Sequence, residues 1–113
     1  MTEDVDKAEI VGETDIDVSQ VFDALRECYD PEIPVNIVDL GLIYALRIEG
    51  ANVDVTMSLT AIGCPVAGEV MAEVEQRVRE VSGVEQVNVT LTFDPPWTPD
   101  RMTEDAKWEL GMA

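Results

Sequence analysis

The residue best placed to do chemistry in this sequence is Cys64, which lies in a Gly-Cys-Pro tripeptide between a predicted strand and a predicted helix. Proline is favoured at the first position of a helix, where its missing N–H has no cost. The sulfur would therefore lie near the unsatisfied N–H groups and the positive dipole end of that helix, which stabilise a thiolate. We predict a functional thiol at Cys64; the alternative is a small buried residue that completes a turn.

The other cysteine, Cys28, has the opposite setting. It continues the apolar stripe of Val21 and Leu25 at helical spacing, so we expect it in the hydrophobic core. Two cysteines outside CxxC spacing are also too few for a disulfide scaffold.

Four polar residues are candidates to converge on Cys64 in space: Asp30, Glu32, Asp39 and Thr60. Carboxylates raise the pKa of a nearby thiol, so this set suits metal ligation better than activation of a nucleophile. The alternative for each carboxylate is a turn-forming role, because Asp30 precedes a proline and Asp39 precedes Leu-Gly.

The sequence contains no histidine, which excludes a Ser-His-Asp triad, a Cys-His pair and an imidazole metal ligand within this chain. A thiol enzyme is therefore disfavoured. An iron–sulfur cluster normally needs about four ligands, mostly thiolates. One available thiol cannot supply that set, so a cluster would have to be transient, shared across a homodimer, completed by carboxylates or small thiols, or held with a partner protein.

Seven basic and 24 acidic residues give a net charge of −17, which disfavours binding to nucleic acid or to anionic membranes. Only two of the cations are lysines, a composition that suits a high-salt cytoplasm as well as an acidic protein of an ordinary cell. The start of the chain has no secretory signal pattern, and no apolar run approaches the length of a membrane span. We expect a cytoplasmic protein.

The pattern of apolar residues predicts an α+β fold, a two-layer sandwich with helices on one face of a small sheet. We expect an acidic disordered tail over residues 1–16 and a single domain over residues 17–113. Asp17 is the predicted N-cap of the first helix, and Gly83 the predicted end of the second. The predicted order is helix, strand (42–48), strand (53–59), helix (from 65), strand (87–93) and a short C-terminal helix (103–110).

A stiff Pro-Pro-Trp segment follows the last predicted strand and holds Trp97. A tryptophan in such a segment can anchor a partner, and we keep Trp97 as a docking candidate. The alternative, for Trp97 and for Trp108, is packing in the core.

Four motifs occur together in order: Asp30-Pro-Glu-Ile-Pro, Val38-Asp-Leu-Gly-Leu-Ile-Tyr, Thr60 with Cys64-Pro, and Asp94-Pro-Pro-Trp-Thr-Pro-Asp-Arg-Met-Thr-Glu-Asp. In this combination the chain resembles the SufT-like and PaaD-like proteins of iron–sulfur cluster assembly, over residues 18–112. The resemblance implies the compact α/β domain found in cluster-scaffold proteins, and a role in metal–sulfur cluster biosynthesis, carrying or delivering clusters, rather than catalysis.

The resemblance also implies that Cys64 is the key residue, with Asp30, Glu32 and Thr60 beside it. Relatives often carry a second hydroxyl after the threonine, where this chain has Ala61. The implied partners are iron–sulfur scaffold or recipient proteins. Two alternatives stay open: a metal-free adaptor that docks apo-proteins, and an accessory protein for maturation of a phenylacetate-type oxygenase.

Overall fold

In a computed structural model, seven regular elements form a sheet covered by helices; residues 8–29, 35–59, 67–94 and 96–111 are described. The elements are β1 (Glu9–Val11), α1 (Val18–Leu25), β2 (Ile43–Glu49), β3 (Asn52–Met57), α2 (Ala67–Arg79), β4 (Gln86–Leu91) and α3 (Glu104–Glu109). A single 3₁₀ turn, Pro99–Arg101, precedes α3. The predicted α+β class is confirmed.

The four strands lie in the order β1-β2-β3-β4, and α1 and α2 each connect two parallel neighbours. β1 pairs in parallel with β2, β2 pairs antiparallel with β3, and β3 pairs in parallel with β4. Met57 at the end of β3 pairs with Ile43 at the start of β2 and with Leu91 at the end of β4. The carboxyl ends of β3 and β4 therefore meet the amino end of β2 at one end of the sheet.

Alternation along the strands gives the sheet one apolar and one polar face. Leu46 and Ile48 of β2 are buried opposite Val55 and Val53 of β3. The helices cover this apolar face with their own buried stripes, Val21, Phe22 and Leu25 of α1 and Val70, Val74 and Val78 of α2. Fully burying one such side chain contributes about 1.5–3 kcal/mol. Burial of these apolar residues between the two layers is therefore a main source of the stability of the fold.

Asp17 caps α1 as the sequence predicts. Its side chain accepts hydrogen bonds from the backbone N–H of Ser19 at 2.9 Å and from the Ser19 hydroxyl at 2.7 Å. These bonds lower the pKa of Asp17 because they favour the ionised carboxylate. The prediction that Gly83 ends the second helix is wrong: α2 ends at Arg79, and Gly83 lies in the turn that follows, where its φ of +91° suits glycine.

The expected disordered tail over residues 1–16 is wrong for the part that the structure describes. Glu9–Val11 form β1 against residues 47–49 of β2, and Ile16 is 5% exposed within the core. The Thr14 hydroxyl also donates to the Gly50 carbonyl oxygen at 2.6 Å. The edge of β2 supplies hydrogen-bond partners that local acidic composition could not reveal; residues 1–7 lie outside the described residues.

Within the described ranges, no helix has the length and apolar character needed to cross a bilayer.

Candidate functional site

Three connecting segments come together at the end of the sheet where β3 and β4 finish and β2 begins. The Ser58 amide, just after β3, donates to the Leu42 carbonyl oxygen at 2.8 Å. The Thr92 amide, just after β4, donates to the Met57 carbonyl oxygen at 2.8 Å. Binding and catalytic residues often lie on loops that a rigid sheet positions. We therefore take this end of the sheet as the candidate site.

A tight turn over residues 36–41 leads into β2 and is closed by Asp39. The Asn36 side-chain amide donates to Asp39 Oδ2 at 3.0 Å, and the Asp39 backbone N–H donates to Asn36 Oδ1 at 2.9 Å. This reciprocal pair is the turn-forming role that we weighed for Asp39. Ligation by its carboxylate stays a prediction.

A second segment, residues 96–103, crosses this turn and is called the strap. The Trp97 indole Nε1–H donates to the Leu40 carbonyl oxygen at 2.6 Å. The Thr103 amide donates to the Asp39 carbonyl oxygen at 2.8 Å. The Arg101 guanidinium lies 4.5 Å from the centroid of the Tyr44 ring, within cation–π range. Backbone and side-chain contacts together hold the strap against the turn.

Gly41 allows this close approach. Its φ is +79°, and a Cβ at this position would lie 2.7 Å from the carbonyl carbon and 2.8 Å from the Cβ of Arg101. Neither the backbone conformation nor the space suits a larger residue. The Asp-Leu-Gly motif and the Pro-Pro-Trp motif are therefore parts of one contact, which sequence reasoning did not connect.

The two tryptophans have different environments. Trp97 is half-buried against the core with its indole N–H bonded inside the molecule, in agreement with the packing alternative. Docking of a partner by its exposed part stays a prediction. Trp108 is 68% exposed on α3, so a core position for this residue is wrong. A six-residue helix packs on the core through Ala106 and leaves the Trp108 side chain in solvent.

The prediction for Cys28 is confirmed. Its side chain is fully buried, and its sulfur lies 3.8 Å from the Ala24 carbonyl oxygen. Burial, reinforced by the nearby Glu73 carboxylate, raises the thiol pKa from 9.0 to about 12. A thiol that stays protonated and covered is inert towards metals and electrophiles at neutral pH.

The other predicted site residues, Asp30, Glu32, Thr60 and Cys64, lie outside the described residues. The described residues that flank them belong to this end of the sheet. Tyr29 pairs with Asn36 across the first gap, and Leu59 is buried directly before the second. The helix α2 connects the parallel strands β3 and β4, so it runs back along the sheet from the carboxyl end of β3 to the amino end of β4. Its first residue, Ala67, therefore lies towards the carboxyl end of β3. The described residues on either side of these two segments therefore lie at the candidate site.

Among the described residues, no group of three or more Asp, Glu or Cys side chains could hold a metal ion.

Comparison with known proteins gives a consistent result. Residues 18–91 match the family described as "Iron-sulfur cluster assembly protein". An Fe-S protein maturation auxiliary factor of Porphyromonas gingivalis is 51% identical over 78% of this chain and 85% of its own length. The Fe-S protein maturation auxiliary factor SufT of Staphylococcus aureus is 35% identical over 74% of this chain and 97% of its own length.

The same likeness holds in three dimensions. The crystal structure of a domain of unknown function from Bacillus anthracis superposes with a TM-score of 0.77 at 36% identity. The match covers 84% of this chain and 92% of that domain. The two-layer arrangement is therefore shared with a solved structure.

Proposed function

Because this chain belongs to the iron–sulfur cluster assembly protein family, we propose that it is a maturation factor that helps carry or deliver iron–sulfur clusters to recipient proteins. The names of its relatives support a role in maturation of Fe-S proteins. The absence of histidine from the sequence argues against thiol catalysis, so the proposed role is non-catalytic.

Cys64 is the proposed cluster-handling thiol. The observation that carries this assignment is the burial of Cys28, since the chain has only two cysteines. Cys28 has no exposed surface, and burial raises the pKa of its thiol, so it is a poor ligand for incoming iron and Cys64 is favoured. Asp30, Glu32 and Thr60 are proposed to support it, since the described flanks of both segments lie at the same end of the sheet.

The cluster is cargo in this proposal, held transiently or shared. About four ligands are needed for a cluster, and one thiolate per chain leaves places for ligands from a scaffold, a recipient or a second copy of the chain. A reducing compartment keeps both the cluster and the free thiols intact, so the proposed location is the cytoplasm.

Anaerobic reconstitution with iron and sulfide tests the proposal. We expect visible charge-transfer absorption and bound iron and sulfide in the wild-type chain, alone or mixed with a scaffold protein. The Cys64→Ser variant should lose both signals, whereas Cys28→Ser, the matched control, should keep them if it folds. Native mass measurement of oxygen-free protein then gives the number of chains, irons and sulfides in one species.

Two results would contradict the assignment. A chromophore of equal intensity in Cys64→Ser would remove the cysteine from the mechanism. The absence of any Cys64-dependent chromophore, with or without a scaffold, would favour a metal-free adaptor.

A further inference from the structure

The outer edge of β4 has the properties of a site for strand addition. β4 is the terminal strand of the sheet, and within the described residues no strand pairs with its outer side. The Thr92 amide donates to Met57 of β3, so alternation directs the N–H and C=O groups of Thr90 and Thr92 inward. The same alternation directs those of Val87, Val89 and Leu91 outward, where they form a row of hydrogen-bonding groups with no strand beside them in the part of the chain that the structure describes.

This edge lacks the protection that edge strands usually carry. Proteins guard such edges with charges, prolines, bulges or very short strands. β4 has six residues, none of them charged or proline, and it pairs with β3 in unbroken register. The opposite edge is protected, since β1 has three residues and begins with Glu9. The absence of charged residues from β4 contrasts with the 24 acidic residues of the chain as a whole.

The core face along β4 is incompletely covered. Val87 is 6% exposed, but Val89 and Leu91, further along the same face, are only partly buried. An added strand would bring apolar side chains of its own against Val89 and Leu91, because directly paired residues share a face.

Charges around the edge select the kind of partner. Glu85 precedes the strand, Asp94 follows it, and Asp54 accepts a hydrogen bond from Asn88 on the outer face at 2.9 Å. Arg79, which donates to the Glu85 carbonyl oxygen, is paired with Glu75 at 2.6 Å. Acidic groups therefore flank an uncharged strand. A second copy of this chain would bring two net charges of −17 together, whereas a basic segment would be attracted.

We propose that the outer edge of β4 binds an extended segment of a partner protein as an added strand, with apolar residues in its middle and lysine or arginine at its ends. The inference rests on the proposed function in one respect only, that a maturation factor meets partner proteins. Neither a cluster nor Cys64 takes part in the binding test, so the two proposals fail independently.

The test uses the ¹⁵N-labelled full chain and a synthetic peptide with the sequence KKVTVTVKK. In the free chain, the outward amides of Val87, Val89 and Leu91 should exchange with solvent faster than the inward amide of Thr90. On addition of the peptide, exchange at the three outward amides should slow by about tenfold or more. The peptide with glutamates in place of the lysines should bind about tenfold more weakly, equivalent to about 1.4 kcal/mol.

Two matched controls separate strand addition from charge attraction. In an added antiparallel strand, the valine N–H groups point at β4 and the threonine N–H groups point away. N-methylation of the valines should therefore abolish binding, and N-methylation of the threonines should preserve it. On the protein side, Val89→Pro removes one outward N–H at a position where an edge strand tolerates proline, so this variant should lose binding of the peptide. Val89→Ala loses packing but keeps the N–H, so it should still bind.

The peptide controls do not depend on whether Val89→Pro folds. Unchanged exchange at the outward amides in the presence of the lysine peptide would overturn the proposal. Equal binding of the two N-methylated peptides would also overturn it. A dimer that forms without peptide, strengthens with added KCl and protects the same amides would show that the edge belongs to a second copy.

Discussion

Replacement of Gly41 by alanine tests whether the strap and the 36–41 turn are locked together. At a φ of +79°, an L-residue costs about 1–2 kcal/mol. About 0.4–1 kcal/mol of that is offset because alanine restricts the unfolded chain. The new Cβ would also lie 2.7 Å from the Arg101 carbonyl carbon, and overpacking of this kind adds about 1–3 kcal/mol. We expect Gly41→Ala to lower the free energy of unfolding by about 1–5 kcal/mol.

The chain contains a matched control for the backbone part of this effect. Gly50 has a φ of +61°, and a Cβ there would have no atom within 4 Å. Gly50→Ala should therefore show the conformational cost alone, about 0–1.6 kcal/mol. The difference between the two variants measures the contact between the turn and Arg101.

Urea unfolding provides the assay, followed by circular dichroism for the whole fold and by tryptophan fluorescence for the strap. With a slope of about 1–3 kcal/mol/M, the midpoint for Gly41→Ala should fall well below that for Gly50→Ala. A Trp108→Phe background leaves Trp97 as the only fluorophore of this type, and displacement of the strap should shift its emission to longer wavelength. If the two variants unfold within about 0.5 kcal/mol of each other, the contact does not constrain the molecule and the reasoning is refuted.

Five further predictions follow from described contacts and from charge. Trp97→Phe removes the hydrogen bond to Leu40 and should destabilise the fold by about 0.5–1.5 kcal/mol in urea unfolding, whereas Trp108→Phe on the exposed face should be neutral. Cys28 should resist iodoacetamide in the native chain and react after denaturation, as read by mass spectrometry; rapid native labelling would contradict its burial. Because its pKa is raised from 9.0 to about 12, folding stability should fall as pH rises through that window, since the unfolded thiol ionises first. Asp17→Ala should lower the melting temperature at neutral pH, and its difference from wild type should shrink as pH falls through the lowered pKa of Asp17, below 3.8; a constant difference would exclude the charged cap. The melting temperature should rise between about 0.1 M and about 1 M KCl, where the Debye length falls from about 10 Å to about 3 Å, and a flat response would exclude self-repulsion as a significant cost.

Local patterns were sufficient to predict most of the fold. Alternating apolar residues define β2, β3 and β4, because one face of each strand is buried and the other is polar. The Asp17 cap and the stripe of Val21, Leu25 and Cys28 predict both the start of α1 and the buried state of Cys28. These features depend on residues close together in the chain, and periodicity reports them directly.

The edge strand β1 and the environment of Trp108 could not be predicted in this way. β1 is too short for a periodic signal and exists because it pairs with residues of β2 that lie 38 positions away in sequence. Trp108 is exposed because α3 turns another side to the core, an orientation that a six-residue segment does not encode by itself.

For the candidate site, the sequence alone determined which residue types are available: two thiols, no imidazole, and a set of carboxylates and hydroxyls in four motifs. Only the tertiary structure decided between the alternatives for Trp97 and Trp108, and only it showed that Gly41 and Trp97 bring two distant motifs into contact. The physical reason is that burial and hydrogen bonding between segments depend on how the strands are ordered in the sheet. Strand order places residues 40 and 97 side by side, and no local pattern of residues carries that information.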